Sequence, residues 1–466
     1  MQPTGANHAS SQAINQESRW HSVWRMLGIV VLLWFLAQFV VLIAAGFIDG
    51  DLDGDFGPLD GTLILAGSIC SAPMVLLLLT IRRPKLEHII VAQPDANGSQ
   101  VHSLPDSRIL QTPVPTEMRQ YIVRSRHPLR VPIARHLWML FLGGVIISSL
   151  AFAPLLLDAS NTMFLLLALC VAVPAWLVGF STPVFAWWSF SASRFQLTTN
   201  RQQGEAMLIA GMLSTFPALI INSFVTPGTV LFLTAGDVST TTVENITVII
   251  SAPVGEEICK ALAVLSLSSM IDSKRRGFQV GFTVGLGFAL LENLQYILFS
   301  LFAGEFVAIS YGLTAIVRGI GSIPGHALWT ACSGYAIGHM LEQRKFGSRP
   351  KFDSWDLVNP MTGQTTKISA DPTTYLTQSF LVRKSELQLP TSLPVMLGLA
   401  MFGHAFWNGS SVLISNLTLN LPPLIGLIVD LTWIVILITL LWTVGRFVIS
   451  AAMEESTPSQ IDSSRD

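Results

Sequence analysis

Charge is scarce in this chain: Asp, Glu, Lys and Arg together make up 12% of its 466 residues, against 51% hydrophobic residues. A water-exposed globular surface needs roughly a quarter of all residues charged, so an ordinary soluble domain is excluded. The formal net charge of -2 offers no basic surface to nucleic acid, and the basic residues cluster beside apolar runs instead of lining a groove. Cysteine is equally sparse. Cys70, Cys170, Cys259 and Cys332 all fall inside apolar segments without metal-type spacing, which excludes a disulfide framework and a zinc ribbon and makes them small packing residues. A signal peptide is not seen either, because the first apolar stretch, 26–47, is too long for a signal core and has no small-residue cleavage site. It is read as a helix that stays.

Long apolar runs fill the space that charge leaves. Ten are read as spans, at 26–47, 62–81, 137–157, 163–188, 206–233, 246–270, 278–302, 320–341, 393–413 and 424–447, so the expected fold is an all-α polytopic membrane protein with about ten transmembrane helices. Basic residues set the orientation. Arg82, Arg83 and Lys85, the arginines between 119 and 135, Lys274 to Arg276, and Arg344 to Lys351 place their loops and both termini in the cytoplasm, in a cell membrane. Trp20, Trp24, Trp187 and Trp188 are expected at the membrane interface. The region 306–340 is too long for one simple helix and contains Arg318, Gly319, Gly321, Pro324 and Gly325, so a break or a tilted outer segment is expected there. Two polar insertions, 84–136 and 343–390, suit either small folded elements or mobile loops.

The first five spans have no ionisable residue in their interiors, whereas Glu256, Glu257 and Lys260 stand mid-span in the sixth and Glu292 in the seventh. At a helix centre each costs about 2.5 to 3.5 kcal/mol to insert, roughly 12 kcal/mol together, so packing alone would select against them. Glu256 and Lys260, Phe288 and Glu292, and His404 and Asn408 are each four residues apart, so three helices each present a one-turn pair on one face. Span midpoints bring Glu257, Glu292 and His404 to one depth, with His326 about one helical turn, roughly 6 Å, outward. Gly281, Gly285 and Gly287 would let the seventh span approach a neighbour closely. A buried layer of carboxylates beside one lysine suits proton sharing: one glutamate as base toward a water, another as acid, and His404 with Asn408 as donors to an oxyanion.

These residues resemble a known set. Glu256-Glu257-Ile258-Cys259-Lys260 is similar to the EExxK motif of PrsW-type intramembrane proteases, Phe288 to Asn293 to their FxxxEN motif, and His404 to Asn408 to their HxxxN motif, with Pro324-Gly325-His326-Ala327 resembling the further family histidine. The resemblance covers about residues 245–410. It implies a CPBP-like catalytic helical core, related to the CAAX prenyl endopeptidases, and an endopeptidase that uses glutamate and requires no metal or other cofactor. Carried onto this chain, it makes Glu256 the residue that activates water with Glu257 beside it, Glu292 and His326 partners in proton transfer, and His404 with Asn408 the oxyanion site. Lys260, Phe288 and Asn293 support them. CAAX-type members have histidine where Glu292 stands. The implied partner is a membrane-embedded protein in the bilayer, with a single-pass anti-sigma factor as the natural substrate. On this reading the chain divides into a cytoplasmic segment 1–25, an N-terminal transmembrane region 26–204 with loop 84–136, a PrsW-like domain 205–448 with insertion 343–390, and a tail 449–466.

Other readings remain open at this level. The glutamates and histidines could hold zinc, although HExxH is missing, as are GxGD and GxSG. Intramembrane carboxylates beside lysine and histidine also build proton- or ion-coupled transporters, and a non-catalytic immunity-type membrane protein would use them only for packing. Asp49, Asp51, Asp53, Gly54 and Asp60 follow the spacing of an EF-hand calcium loop, with Asp55 at the carbonyl position, so Ca2+ is a candidate ligand there. Arg318 is read as an interfacial snorkelling side chain. Asp430 is read as a helix-packing or gating residue.

Overall fold

The computed structural model describes residues 18–48, 59–81, 86–103, 109–124, 127–195, 197–346, 354–358, 365–369 and 387–453. Thirteen α-helical segments are described: α1 (His21–Ile48), α2 (Gly61–Ile81), α3 (Ala134–Phe152), α4 (Thr162–Arg194), α5 (Arg201–Ile220), α6 (Thr226–Leu233), α7 (Thr240–Ile246), α8 (Ala252–Ser266), α9 (Lys274–Ser300), α10 (Val307–Val317), α11 (Ile323–Phe346), α12 (Leu393–Thr418) and α13 (Pro423–Met453). Among the described residues, eight helical stretches are long and apolar enough to cross a membrane. The segment 240–266 and α12, read as spans from the sequence, are less apolar because they carry Glu256, Glu257, Lys260, His404 and Asn408. The fold is an all-α polytopic membrane protein. Its two polar insertions each contribute an antiparallel hairpin, β1 (Leu86–Ser103) with β2 (Ile109–Arg124), and β3 (Ser354–Val358) with β4 (Thr365–Ser369).

The helices start where the sequence supplies caps. Asn161 accepts from the amides of Met163 and Phe164 at the head of α4, Asn200 and Gln203 form a capping box on α5, and Ser273 accepts from Arg276 on α9. Asp60 caps α2 through the Thr62 amide at 2.7 Å. The other aspartates of the calcium-like loop, Asp49, Asp51, Asp53 and Asp55, lie outside the described residues.

Helix α9 is the hub. It packs against α4, α5, α8, α10 and α11, and its most apolar stretch is 72% buried, compared with 6% for the stretch in α2. Glycines make this possible. A Cβ at Gly281 would run into the Thr330 carbonyl and one at Gly285 into the His326 carbonyl, so α9 lies backbone to backbone against α11. Gly287 meets Leu208 of α5 in the same way on the opposite side.

Three helices are opened by prolines. Pro227, Pro253 and Pro324 each follow a five-residue π turn, at Ile221–Val225, Thr247–Ser251 and Arg318–Ser322. Proline has no amide hydrogen and its ring crowds the carbonyl four residues back, so the helix widens just upstream and leaves carbonyls to be satisfied from outside. The long region around Arg318 therefore carries a π turn within a continuous helical stretch, where the sequence pattern predicts a break or a tilted outer segment. Trp187 and Trp188 differ from expectation too. Trp188 is 1% exposed, and Trp187 stacks on Trp442 at 4.7 Å, so both side chains turn into the protein. Trp24, at 65% exposure, does face outward.

Candidate functional site

The expensive residues of the sequence meet in one buried layer, organised around Lys260. Its Nζ donates to Glu257 Oε1 at 2.8 Å and to Glu256 Oε2 at 3.3 Å, both on its own helix one turn back. It also meets His326 Nδ1 of α11 at 2.9 Å and lies 3.9 Å from the centre of the Phe288 ring. Lys260 and Glu257 are both 0% exposed, so the ammonium and carboxylate are stable there only as partners. Glu257 accepts in addition from His404 Nδ1 at 3.2 Å and from the Thr330 hydroxyl at 3.5 Å. The His404 ring stacks on Trp329 at 4.6 Å with 14° between the planes, which holds its Nε2 edge 3.9 Å from Glu256 Oε2.

Glu256 and Glu292 are the carboxylates that reach open space. Both line a cavity of about 310 Å³ that also touches Trp34 of α1, Asn222, Phe288 and Tyr296. Asn222 comes from the first π turn and donates to Glu256 Oε1 at 3.3 Å. On the far wall, Glu292 Oε2 accepts from His326 Nε2 at 2.9 Å and from Arg318 Nη2 at 2.8 Å. Sequence pattern misses Arg318 as a site residue. A lone arginine near a span end looks interfacial, whereas here Arg318 opens the third π turn and its guanidinium faces Glu292 and Asn293.

Three carboxylates therefore face two fixed cations, Lys260 and Arg318. One further proton, shared among carboxylates and imidazoles, would bring the layer to neutrality. Of the residues anticipated from sequence, Glu256, Glu257, Lys260, Phe288, Glu292, His326 and His404 come together. Asn293 supports the layer from behind: its amide donates to the Phe180 carbonyl at 3.0 Å, and its oxygen accepts from Arg318 Nε at 2.8 Å. Asn408 has a separate partner. Its amide donates to the Val248 carbonyl at 3.0 Å, the carbonyl five residues before Pro253 that the second π turn leaves open. Asp430 accepts from Thr418 at 3.1 Å and ties α13 to α12.

Glu256, His326 and His404 also form a group whose potential ligand atoms all lie within 4.8 Å of one another, a two-histidine, one-carboxylate set of the type that holds catalytic zinc. Their hydrogen bonding does not fit an ion. A lysine ammonium can only donate, so the Lys260 contact makes His326 Nδ1 an acceptor and leaves the ring proton on Nε2, directed at Glu292. Neither nitrogen of that ring then offers a free lone pair, and the Lys260 charge already lies against the same carboxylates.

Compared with known proteins, residues 204–362 match the family described as PrsW family intramembrane metalloprotease. The matched stretch begins in α5 and takes in Glu256, Glu257, Lys260, Glu292, Arg318 and His326, whereas α1 to α4, α12 and α13 lie outside it. No curated protein and no solved structure matches.

Proposed function

Taking residues 204–362 as a PrsW-family intramembrane protease region, we propose that the chain hydrolyses a peptide bond of a membrane-anchored protein with a water activated by Glu256. One observation carries this reading: ionisable groups from four helices converge in one buried layer on the wall of a 310 Å³ cavity. Glu256 Oε2 and His404 Nε2 lie 3.9 Å apart, a gap that one water can bridge at hydrogen-bond length to both.

Glu256 takes a proton from that water while the oxygen attacks the carbonyl carbon, and the C=O electron pair moves onto oxygen. His404, its Nδ1–H held by Glu257 and its ring by Trp329, donates from Nε2 toward the oxyanion when it carries the further proton of the layer, and the second amide hydrogen of Asn408 is left to assist. Collapse restores the carbonyl and breaks the C–N bond, and the proton held by Glu256 goes to the departing amine. Glu292 and His326 carry the exchange of the remaining proton across the layer. Lys260 supplies the positive charge that keeps Glu257 ionised in its buried position, so the mechanism has no step through a metal.

A single-pass regulator such as an anti-sigma factor suits a site reached from the lipid, with both termini of the enzyme in the cytoplasm as the basic loops imply. The test is reconstitution in lipid with candidate single-pass substrates. Wild type should release a shorter peptide, and Glu256→Gln, inserted to the same level, should not. Ion-dependent flux without any cleavage would replace the protease reading with a transporter.

A further inference from the structure

Arg318 lies 26 residues from Glu292 in sequence, and its guanidinium is held on three sides. Nη2 donates to the Glu292 carboxylate, Nε donates to the Asn293 side-chain oxygen, each at 2.8 Å, and the plane lies 3.9 Å from the Tyr296 ring centre. The π turn that begins at Arg318 inserts an extra residue and rotates the chain beyond it, so it sets the angle between Arg318 and the α11 residues that follow, His326 among them. Such a turn survives only if the carbonyls released by Pro324 find donors.

They find two indoles. The carbonyls four and five residues before Pro324 belong to Ile320 and Gly319. Trp442 Nε1 of α13 donates to the first at 2.8 Å, and Trp187 Nε1 of α4 donates to the second at 3.0 Å. The two rings stack on each other at 4.7 Å with 22° between them, so the two donors form one rigid clamp. The turn is small where the clamp closes: a Cβ at Gly321 would strike the Trp407 ring, and one at Gly319 the Phe141 ring. Both clamp helices lie outside the matched residues 204–362.

We propose that Arg318 is a positioning residue for hydrolysis, holding the Glu292 carboxylate against His326, and that the stacked Trp187–Trp442 pair locks the π turn that aims it. The proposal rests on the protease reading for its kinetics, but its geometry can be tested without it. The guanidinium takes one lone pair of Glu292 Oε2, directs another at His326 Nε2, and through Asn293 fastens this wall of the cavity to the α4 backbone. A mere interhelix fastener would need neither the π turn nor two donors to keep it.

The experiment uses the full chain in lipid nanodiscs. In the peptide-release assay, Arg318→Met should lower kcat about a hundredfold with KM little changed, as expected for a misplaced proton-transfer partner. Arg318→Lys should recover about tenfold of that, since it restores a charge but not the fork. Trp442→Phe, which removes the indole donor but keeps a ring, should lower kcat about three- to tenfold. In a Glu292→Gln background, Arg318→Met should cost almost nothing more, because it acts through Glu292. Wild-type kcat in Arg318→Met, or effects of the two substitutions that multiply, would overturn the proposal. Structures of wild type and Arg318→Met supply a readout that needs no substrate: Glu292 should leave His326 in the variant and stay in Arg318→Lys. An unchanged Glu292–His326 contact sinks the positioning role even if the chain proves to cleave nothing. Loss of wild-type cleavage with the contact behaving as expected sinks only the protease reading.

Discussion

The polar layer has two halves, each built on a cation, and they are assembled differently. Lys260 holds Glu256 and Glu257 from the same helix, four and three residues away, with Lys260 and Glu257 fully buried and only Glu256 reaching the cavity. Arg318 holds Glu292 across 26 residues, from a separate helix, on a cavity wall where the Glu292 side chain keeps 23% of its exposure. The first half is local chemistry that any α-helix would create. The second is tertiary, and depends on a proline-opened turn and two tryptophans. The lysine half should therefore act mainly on folding and chemistry together, and the arginine half mainly on chemistry.

Lys260→Met gives the largest expected effect. It leaves Glu257 a buried charge without its cation, so unfolding measured in detergent or lipid should lose about 3–5 kcal/mol and cleavage should vanish. Arg318→Met should cost only about 1.5–3 kcal/mol of stability, since Glu292 stays within reach of cavity water. Equal stability losses would break the comparison. Glu256→Gln sharpens it from the other side, lowering kcat roughly a thousandfold while the protein stays inserted and folded. Gly285→Val tests the scaffold that the halves share: pushing α9 away from the His326 backbone should destabilise by about 1–3 kcal/mol and reduce activity through both halves at once. Strong chelation should leave cleavage within about twofold of the untreated rate, because the positive charge of both halves is covalent, and a loss restored by added zinc would overturn the metal-free reading. The smallest effect is expected from Asn408→Ala, which frees the Val248 carbonyl at a cost of about 1 kcal/mol and should lower kcat by less than about tenfold.

Most of the site is legible in the sequence because helices repeat. Pairs four residues apart share a face, and mid-span carboxylates are too costly to insert without a purpose, so spacing and transfer cost alone put Glu256, Glu257, Lys260, Glu292 and His404 in one layer. Depth along a span is also set by counting residues, which brings His326 near. Arg318 cannot be read this way. A π turn changes the helical phase, and nothing in periodicity says how Arg318, which opens it, is turned relative to the α11 residues beyond it, although Pro324 does mark where the phase changes. The same limit applies to Asn408: its spacing from His404 promises a shared task, and periodicity gives no sign that one of its amide hydrogens also closes the turn before Pro253. That Trp187 and Trp188 turn into the protein is not legible either, because tryptophan near a span end has two common uses and only the packing against α13 and the third π turn shows the inward one.

By itself the sequence determined the membrane character, the helical class and the lysine-centred half of the site, since each follows from transfer cost and from a repeat of 3.6 residues along a single chain segment. The tertiary structure alone decided that Glu292 would face an arginine, that α4 and α13 would supply the clamp, and that the cavity would open beside Glu256 and Glu292. Those outcomes depend on which distant donors arrive to fill the carbonyls that the prolines leave bare, and that is not encoded in any local pattern.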